Sequence, residues 1–242
     1  MRFDVITLFP ELFEPFLRSG INRRAFESVP GQSALVDIHF IQPRDFSTGN
    51  YRRVDDRPFG GGPGMVMMAE PLALAVEHIR AQRSDEGDVP VVLFSPIGDR
   101  LDHAAVERWS ASTGAILICG RYEGLDQRFI DQYVTHQISL GDFVLSGGEV
   151  AAMALLDAVA RLQPGVLGDE GSHQADSFNP AIDGLLDCPH YTRPEVWRGQ
   201  GVPDVLLSGH HEQIDRWRAA QRQQLTEKLR PDLLPNKSTK KL

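Results

Sequence analysis

The chain has only two cysteines in 242 residues, Cys119 and Cys188, too far apart to form a CxxC pair. That scarcity excludes a disulfide framework and a structural zinc site. No segment approaches the roughly 18 consecutive apolar residues that a bilayer span needs. The first residues carry no basic stretch leading into an apolar one, and Asp4 interrupts the opening apolar run. The expectation is a cytoplasmic protein with no membrane contact. The first strand-like run passes into Leu8-Phe9-Pro10-Glu11-Leu12 without a glycine, so a dinucleotide-type turn is missing there. The one dense glycine run, Gly60-Gly61-Gly62-Pro63-Gly64, lacks the Lys-Ser/Thr of a phosphate-binding loop. No G-x-S-x-G elbow surrounds Ser146, which disfavours a serine hydrolase.

Chain-wide positive charge is missing too. The formal net charge is −8, unlike that of a protein coated in basic residues for nucleic acid. Its distribution is uneven. From Arg193 to Leu242 there are 10 Lys/Arg against 6 Asp/Glu, whereas the other 192 residues hold 15 against 27. An acidic body with a basic C-terminal segment suits a protein that meets RNA with one part only.

What is present is a run of alternating elements. Apolar, strand-like segments fall at Phe3–Leu8, Leu35–Ile41, Val89–Phe94, Ala115–Cys119 and Val134–Ile138. Helical patterns start at Pro10 and cover Pro71–Arg80, Leu125–Tyr133 and Val150–Leu162, with another capped by Asp102 and running through Trp109. Strands alternating with helices predict an α/β domain with a parallel sheet covered on both faces, over residues 1–162. The glycine-rich, aperiodic segment 163–179 reads as an interdomain linker. Residues 180–242 read as a small, mainly helical C-terminal domain. Its long helix spans His210–Leu229, with Ile214, Trp217 and Leu225 on one stripe, and the tail Lys237–Leu242 is expected to be disordered. Glycines cluster at three strand ends: Ser95-Pro96-Ile97-Gly98, Gly120, and Gly141 with Gly147-Gly148. Loops at those ends are where open α/β sheets bind ligands.

The stretch Asp176–Trp197 has no hydrophobic periodicity, yet it holds carboxylates, His190, Arg193 and two restraining prolines. Pro189 and Pro194 fix their own φ and bias the residues before them to extended conformations. Taken alone, the stretch suits an ordered connector and a binding surface equally well.

Four motifs decide between them: VDDRPFGGGPGM (Val54–Met65), GRYEGLDQR (Gly120–Arg128), SLGDFVLSGGE (Ser139–Glu149) and DCPHYTRPEV (Asp187–Val196). With the opening Phe3–Phe13 and the segment Leu206–Arg218, they resemble the bacterial tRNA (guanine-N1)-methyltransferases that act on guanosine 37, beside the anticodon. The resemblance covers nearly the whole chain. It departs after Glu149, where Val150-Ala151-Ala152 stands in place of a common Leu-Pro-Ala and predicts a weaker helix start.

This family belongs to the knotted, SPOUT-type methyltransferases, so the resemblance implies a deep trefoil knot at the S-adenosylmethionine site. It implies a cofactor pocket of Phe94, Ser95, Pro96, Gly120, Tyr122, Glu123, Ile138, Ser139, Leu140, Gly141, Asp142, Phe143, Val144, Leu145, Gly147 and Gly148. Backbone groups of Leu140, Phe143 and Leu145 would read the adenine. It implies substrate contacts at Asp55, Gly64, Ser177, His190 and Arg193, and a tRNA with guanosine at 36 and 37. Related enzymes use Mg2+, which points to Glu123. The family is dimeric, with each active site shared across the interface. Guanine N1 is protonated at neutral pH, so methylation there needs a base, plus a cation for charge developing on O6. The resemblance assigns Asp176 as that general base and Arg161 as the cation. On the residues alone, Asp176 reads as a helix N-cap and Arg161 as a solvated helix-end charge. The alternatives weighed against this reading are ribose 2′-hydroxyl methylation and non-catalytic RNA binding.

Overall fold

A computed structural model describes residues 1–28, 31, 33–83, 88–168 and 172–234. The tail Lys237–Leu242 and residues 169–171 of the expected linker lie outside the described residues. Two compact units are present, Met1–Leu167 and Gly168–Leu242, so the division falls inside the segment read as a linker.

The first unit contains β1 (Arg2–Ile6), α1 (Glu14–Arg18), α2 (Asn22–Phe26), β2 (Asp37–Ile41), β3 (Asp55–Asp56), β4 (Val66–Met67) and α3 (Ala69–Gln82). It continues with β5 (Val91–Arg100), α4 (His103–Ser110), β6 (Gly114–Ile118), α5 (Gln127–Tyr133), β7 (His136–Ser139) and α6 (Glu149–Arg161). Five strands form one parallel sheet in the order β2-β1-β6-β5-β7. β6 is buried throughout as Gly-Ala-Ile-Leu-Ile, the continuous apolar run of a strand covered on both sides. Side-chain alternation splits the core. Phe3, Val5, Val92 and Leu117 pack with Ala152, Leu155, Leu156 and Val159 of α6. Ile6, Val91, Ile116 and Ile118 pack with Leu72, Val76 and Ile79 of α3 and Phe129 of α5. Asp102 caps α4 as expected, its carboxylate accepting from the Ala105 N–H at 2.8 Å.

β5 departs from expectation. It does not stop at Phe94 but continues to Arg100, and Phe94 and Asp99 both pair with Ile138. Residues 95–98 therefore leave the ladder and return. Gly98 allows this, because a Cβ there would lie 2.5 Å from the Gln137 carbonyl carbon and the Ile138 nitrogen. α6 begins at Glu149 with Val-Ala-Ala in its first turn: Ala151 and Ala152 are buried, and the Ala152 N–H donates to the Gly148 carbonyl at 2.9 Å.

The second unit is helical only in part. It holds short 3-10 turns at Ser172–Ala175 and Pro180–Ile182, a hairpin of β8 (Val196–Trp197) and β9 (Gln200–Gly201), α7 (Asp204–Leu207) and α8 (His211–Leu229). The expected stripe of Ile214, Trp217 and Leu225 on α8 is half buried, beside a fully buried Thr226.

Candidate active site

The ends of β5, β6 and β7 enclose a cavity of about 260 Å³ in the first unit. Its wall draws Phe94-Ser95-Pro96 from the β5 excursion, Gly120, Tyr122 and Glu123 from the loop after β6, and Ile138–Gly141, Phe143–Leu145 and Gly147-Gly148 from the loop after β7. All the expected cofactor residues but one line this cavity. Asp142 is exposed and does not. Ser146 does line it, but no histidine does, so a hydrolase dyad has no partner there.

Sequence reasoning missed the residue that holds the wall together. Arg121 places its Nη2 2.9 Å from Oε2 of Glu149, which is 1% exposed, and its Nε 3.1 Å from Oε1. The same carboxylate accepts from the Thr7 hydroxyl at 2.9 Å. Arg121 also donates to the Ser146 carbonyl at 3.3 Å and lies over the Phe9 ring at 4.5 Å. One guanidinium thus joins the ends of β1 and β6 to the loop that starts α6. The signal was its place in the GRYEG motif, where the glycines drew attention instead. Below it, Cys119 is a neutral thiol: burial pushes its pKa well up, Glu149 adds to the rise, and Arg121 opposes it.

The glycine loop between β3 and β4 docks on the same region. The Glu123 N–H donates to the Met65 carbonyl at 2.9 Å, Met67 N–H to Gly124 at 2.8 Å, and Asp126 N–H to Met67 at 2.9 Å. A Cβ on Gly64 would collide with the Glu123 carboxylate. Asp55, half buried on β3 opposite Met67, and Gly64 are therefore brought beside the cavity loop without lining the cavity. Tyr122 holds φ +62 in this loop, a conformation uncommon for a bulky side chain and concentrated at functional sites. Arg161 ends α6, whose first turn reaches the cavity at Ala151.

Asp176, Ser177, His190 and Arg193 lie in the second unit. Asp176 is not a helix N-cap: the turn Pro180–Ile182 is capped by Asn179, whose side chain accepts from Ala181 N–H at 2.8 Å. Asp176 instead follows the Ser172–Ala175 turn, its N–H donating to the His173 carbonyl. Two residues later, Phe178 holds φ +74. Ser177 Oγ accepts from the Asp187 N–H at 2.9 Å. Asp187 is the hub here. It accepts from Cys188 N–H at 2.7 Å, lies 2.9 Å from His190 Nε2, and accepts from Arg222 Nε of α8 at 3.3 Å. Burial pushes its carboxyl up, but the Cys188 N–H, His190 and Arg222 outweigh that, and its pKa sits below the ordinary value. Next to it, Leu186 N–H donates to the buried Thr226 hydroxyl at 3.0 Å. Arg193 is exposed.

Among the described residues, no group of three or more His, Cys, Asp or Glu could hold a metal ion. Glu123 is therefore not part of any such group among the described residues.

The profile of the family described as tRNA (Guanine-1)-methyltransferase TrmD matches residues 1–236. Two similar relatives, from Polaromonas sp. (strain JS666 / ATCC BAA-500) and Albidiferax ferrireducens, are each named tRNA (guanine-N(1)-)-methyltransferase. The first is 72% identical over 236 residues, covering 97% of this chain and 89% of the relative. The second is 72% identical over 234 residues, covering 97% and 92%. A third of the same name, from Paracidovorax citrulli (strain AAC00-1), is 68% identical over 236 residues, covering 97% and 91%.

Proposed function

The chain belongs to the tRNA (guanine-1)-methyltransferase family, and from that premise we propose that it methylates N1 of guanosine 37 in tRNA when a guanosine also stands at 36. The methyl donor is S-adenosylmethionine, held in the cavity at the ends of β5, β6 and β7. The observation that carries this reading is the convergence on one cavity of three loops at successive strand ends, two of them family motifs.

The residues present fit that cofactor. Gly148 closes against the chain so tightly that a Cβ would lie 2.7 Å from Cys119 Cα, so main-chain groups form the wall at that point. Leu140, Phe143 and Leu145 offer backbone donors and acceptors for an adenine, and Ile138, Leu93 and Leu125 give it apolar surface. When bound, S-adenosylmethionine supplies a methyl group on a positively charged sulfur.

The chain's own task is to make N1 nucleophilic. The Asp176 carboxylate accepts the N1 proton, and the Arg161 guanidinium offsets negative charge accumulating on O6. Holding the base and the donor in line supplies much of the remaining rate. Asp55, Gly64, Ser177, His190 and Arg193 contact the guanosines, and the second unit binds tRNA. Support for the last point is the excess of Lys and Arg in residues 193–242. A magnesium ion at Glu123 would find no ready-made cage of carboxylates among the described residues.

The deep knot is carried over from the family resemblance; the loops after β6 and β7 meet where the Gly148 N–H donates to the Gly120 carbonyl at 3.0 Å. The homodimer is supported by exposed Phe143 and Val144 at the cavity, and by exposed Ile97 and Val150, each one residue from its lining. The test is nucleoside mass spectrometry of a tRNA transcript with guanosine at 36 and 37 after incubation with S-adenosylmethionine. The expected product is 1-methylguanosine at 37; methylation found only on ribose would reject the assignment.

A further inference from the structure

No packing accounts for the tip of the β8–β9 hairpin. Val196 and Trp197 are 63% and 58% exposed, and both pairing residues of β9 are exposed as well. A two-stranded hairpin without a buried face is marginal in water, and an uncovered Val-Trp pair does nothing to secure it. The connecting residues are also ill-suited to their task. Arg198 and Gly199 have φ +49 and +81, the backbone of a two-residue turn that favours Asn-Gly. Arginine is a poor choice for the first position. Its guanidinium lies over the indole of Trp197, 4.9 Å from the ring centroid.

An exposed aromatic ring beside a planar cation is the equipment that holds an unpaired nucleobase, through a π face for stacking and a charge for the adjoining phosphate. We propose that Trp197 and Arg198 form a stacking platform for one unpaired nucleobase of the tRNA, separate from the guanosine that is methylated. This rests on the reading of tRNA as the substrate. Charge complementarity favours RNA as the occupant: the platform lies in the segment of 10 Lys/Arg against 6 Asp/Glu. Two exposed apolar side chains are also far short of the roughly 1,200 Å² that a stable protein interface buries.

The test uses full-length wild type, Trp197→Ala, Trp197→Phe and Arg198→Ala. Each is measured for binding to, and methylation of, a tRNA transcript with guanosine at 36 and 37. Loss of one stacked base should raise both Kd and KM for the transcript about 5- to 150-fold in Trp197→Ala. The rate at saturating transcript and the S-adenosylmethionine affinity should stay as in wild type. Trp197→Phe keeps a stacking face and should recover most of the loss. Arg198→Ala should lower the slope of log affinity against log salt by about one.

Unchanged transcript binding in Trp197→Ala overturns the proposal. So does equal impairment of the Ala and Phe variants, which would make Trp197 a prop for the hairpin. A change in self-association with transcript binding intact would assign the surface to a protein contact and overturn it too. The proposed reaction is scored separately. An active wild type with an unaffected Trp197→Ala fails the platform alone. A wild type that binds transcript without methylating it, with weaker binding in Trp197→Ala, keeps the platform and removes the reaction. A wild type that does not bind the transcript removes both.

Discussion

Gly148 marks the point where the loop before α6 touches the end of β6. A methyl group added there would lie 2.7 Å from Cys119 Cα and 3.1 Å from Gly120 N, both backbone atoms that cannot swing aside. Gly148→Ala should therefore cost about 1–3 kcal/mol of stability, as overpacking does, and weaken S-adenosylmethionine binding in calorimetric titration. Wild-type values for both would mean that the cavity floor yields. Asp176→Ala separates chemistry from binding: the single-turnover rate should fall about 10²–10⁴-fold while cofactor affinity holds. Equal loss of cofactor binding would count against a base. Asp187 carries a pH signature. Its folded pKa is depressed, so its contribution to stability is complete above an unfolded value of about 3.9 and fades as pH falls through the lowered folded value. The stability gap between wild type and Asp187→Asn should accordingly shrink from pH 7 toward pH 3 in denaturant titrations; a constant gap would contradict this. The sequence announces only part of the role of Asp187: Cys188 and His190 lie in its own motif, but Ser177 and Arg222 come from other segments.

At the scale of elements, sequence and structure agree wherever a local rule is decisive. Asp102 at the start of α4 was legible because capping is satisfied three residues away. The apolar run of β6 was legible because a doubly covered strand has no polar face to hide. The excursion of β5 was not, because its return to Ile138 is set by a neighbouring strand and by the space Gly98 leaves. Arg121 was overlooked for the same reason: its partners Phe9, Ser146 and Glu149 are distant in sequence. Removing it leaves the Glu149 carboxylate buried without its counter-charge. Arg121→Ala should destabilise the first unit by about 3–5 kcal/mol, seen as an earlier unfolding transition. A change below 1 kcal/mol would show that Glu149 relaxes to water or another donor.

For the whole molecule, composition alone pointed to a basic segment joined to an acidic body. Knotting and subunit sharing came only from resemblance, since periodicity carries no information on how a chain threads or pairs. Both belong to the proposed function, and the shared site can be tested by mixing. Gly141→Trp forces a bulky side chain onto backbone at φ +149, against Phe143, and should empty the cofactor cavity. Asp176→Ala removes the proposed base. If each site draws these two groups from different subunits, a mixed dimer has one site with both defects and one with neither. Random mixing makes about half the dimers mixed, so roughly a quarter of wild-type sites should return, by two-fold symmetry alone. No recovery, with subunit exchange verified, would place both groups within one chain.

The three backbone hydrogen bonds between the β3–β4 segment and the segment after β6 have a consequence for time rather than affinity. Glu123, Met67 and Asp126 donate across the same seam, about 60 residues of chain closing through them. If that seam parts as one event, the three amides lose protection together, and deuterium uptake would show a single opening rate for residues far apart in sequence. That shared rate would be a clock for how often the cavity's outer wall detaches, readable with no ligand or turnover.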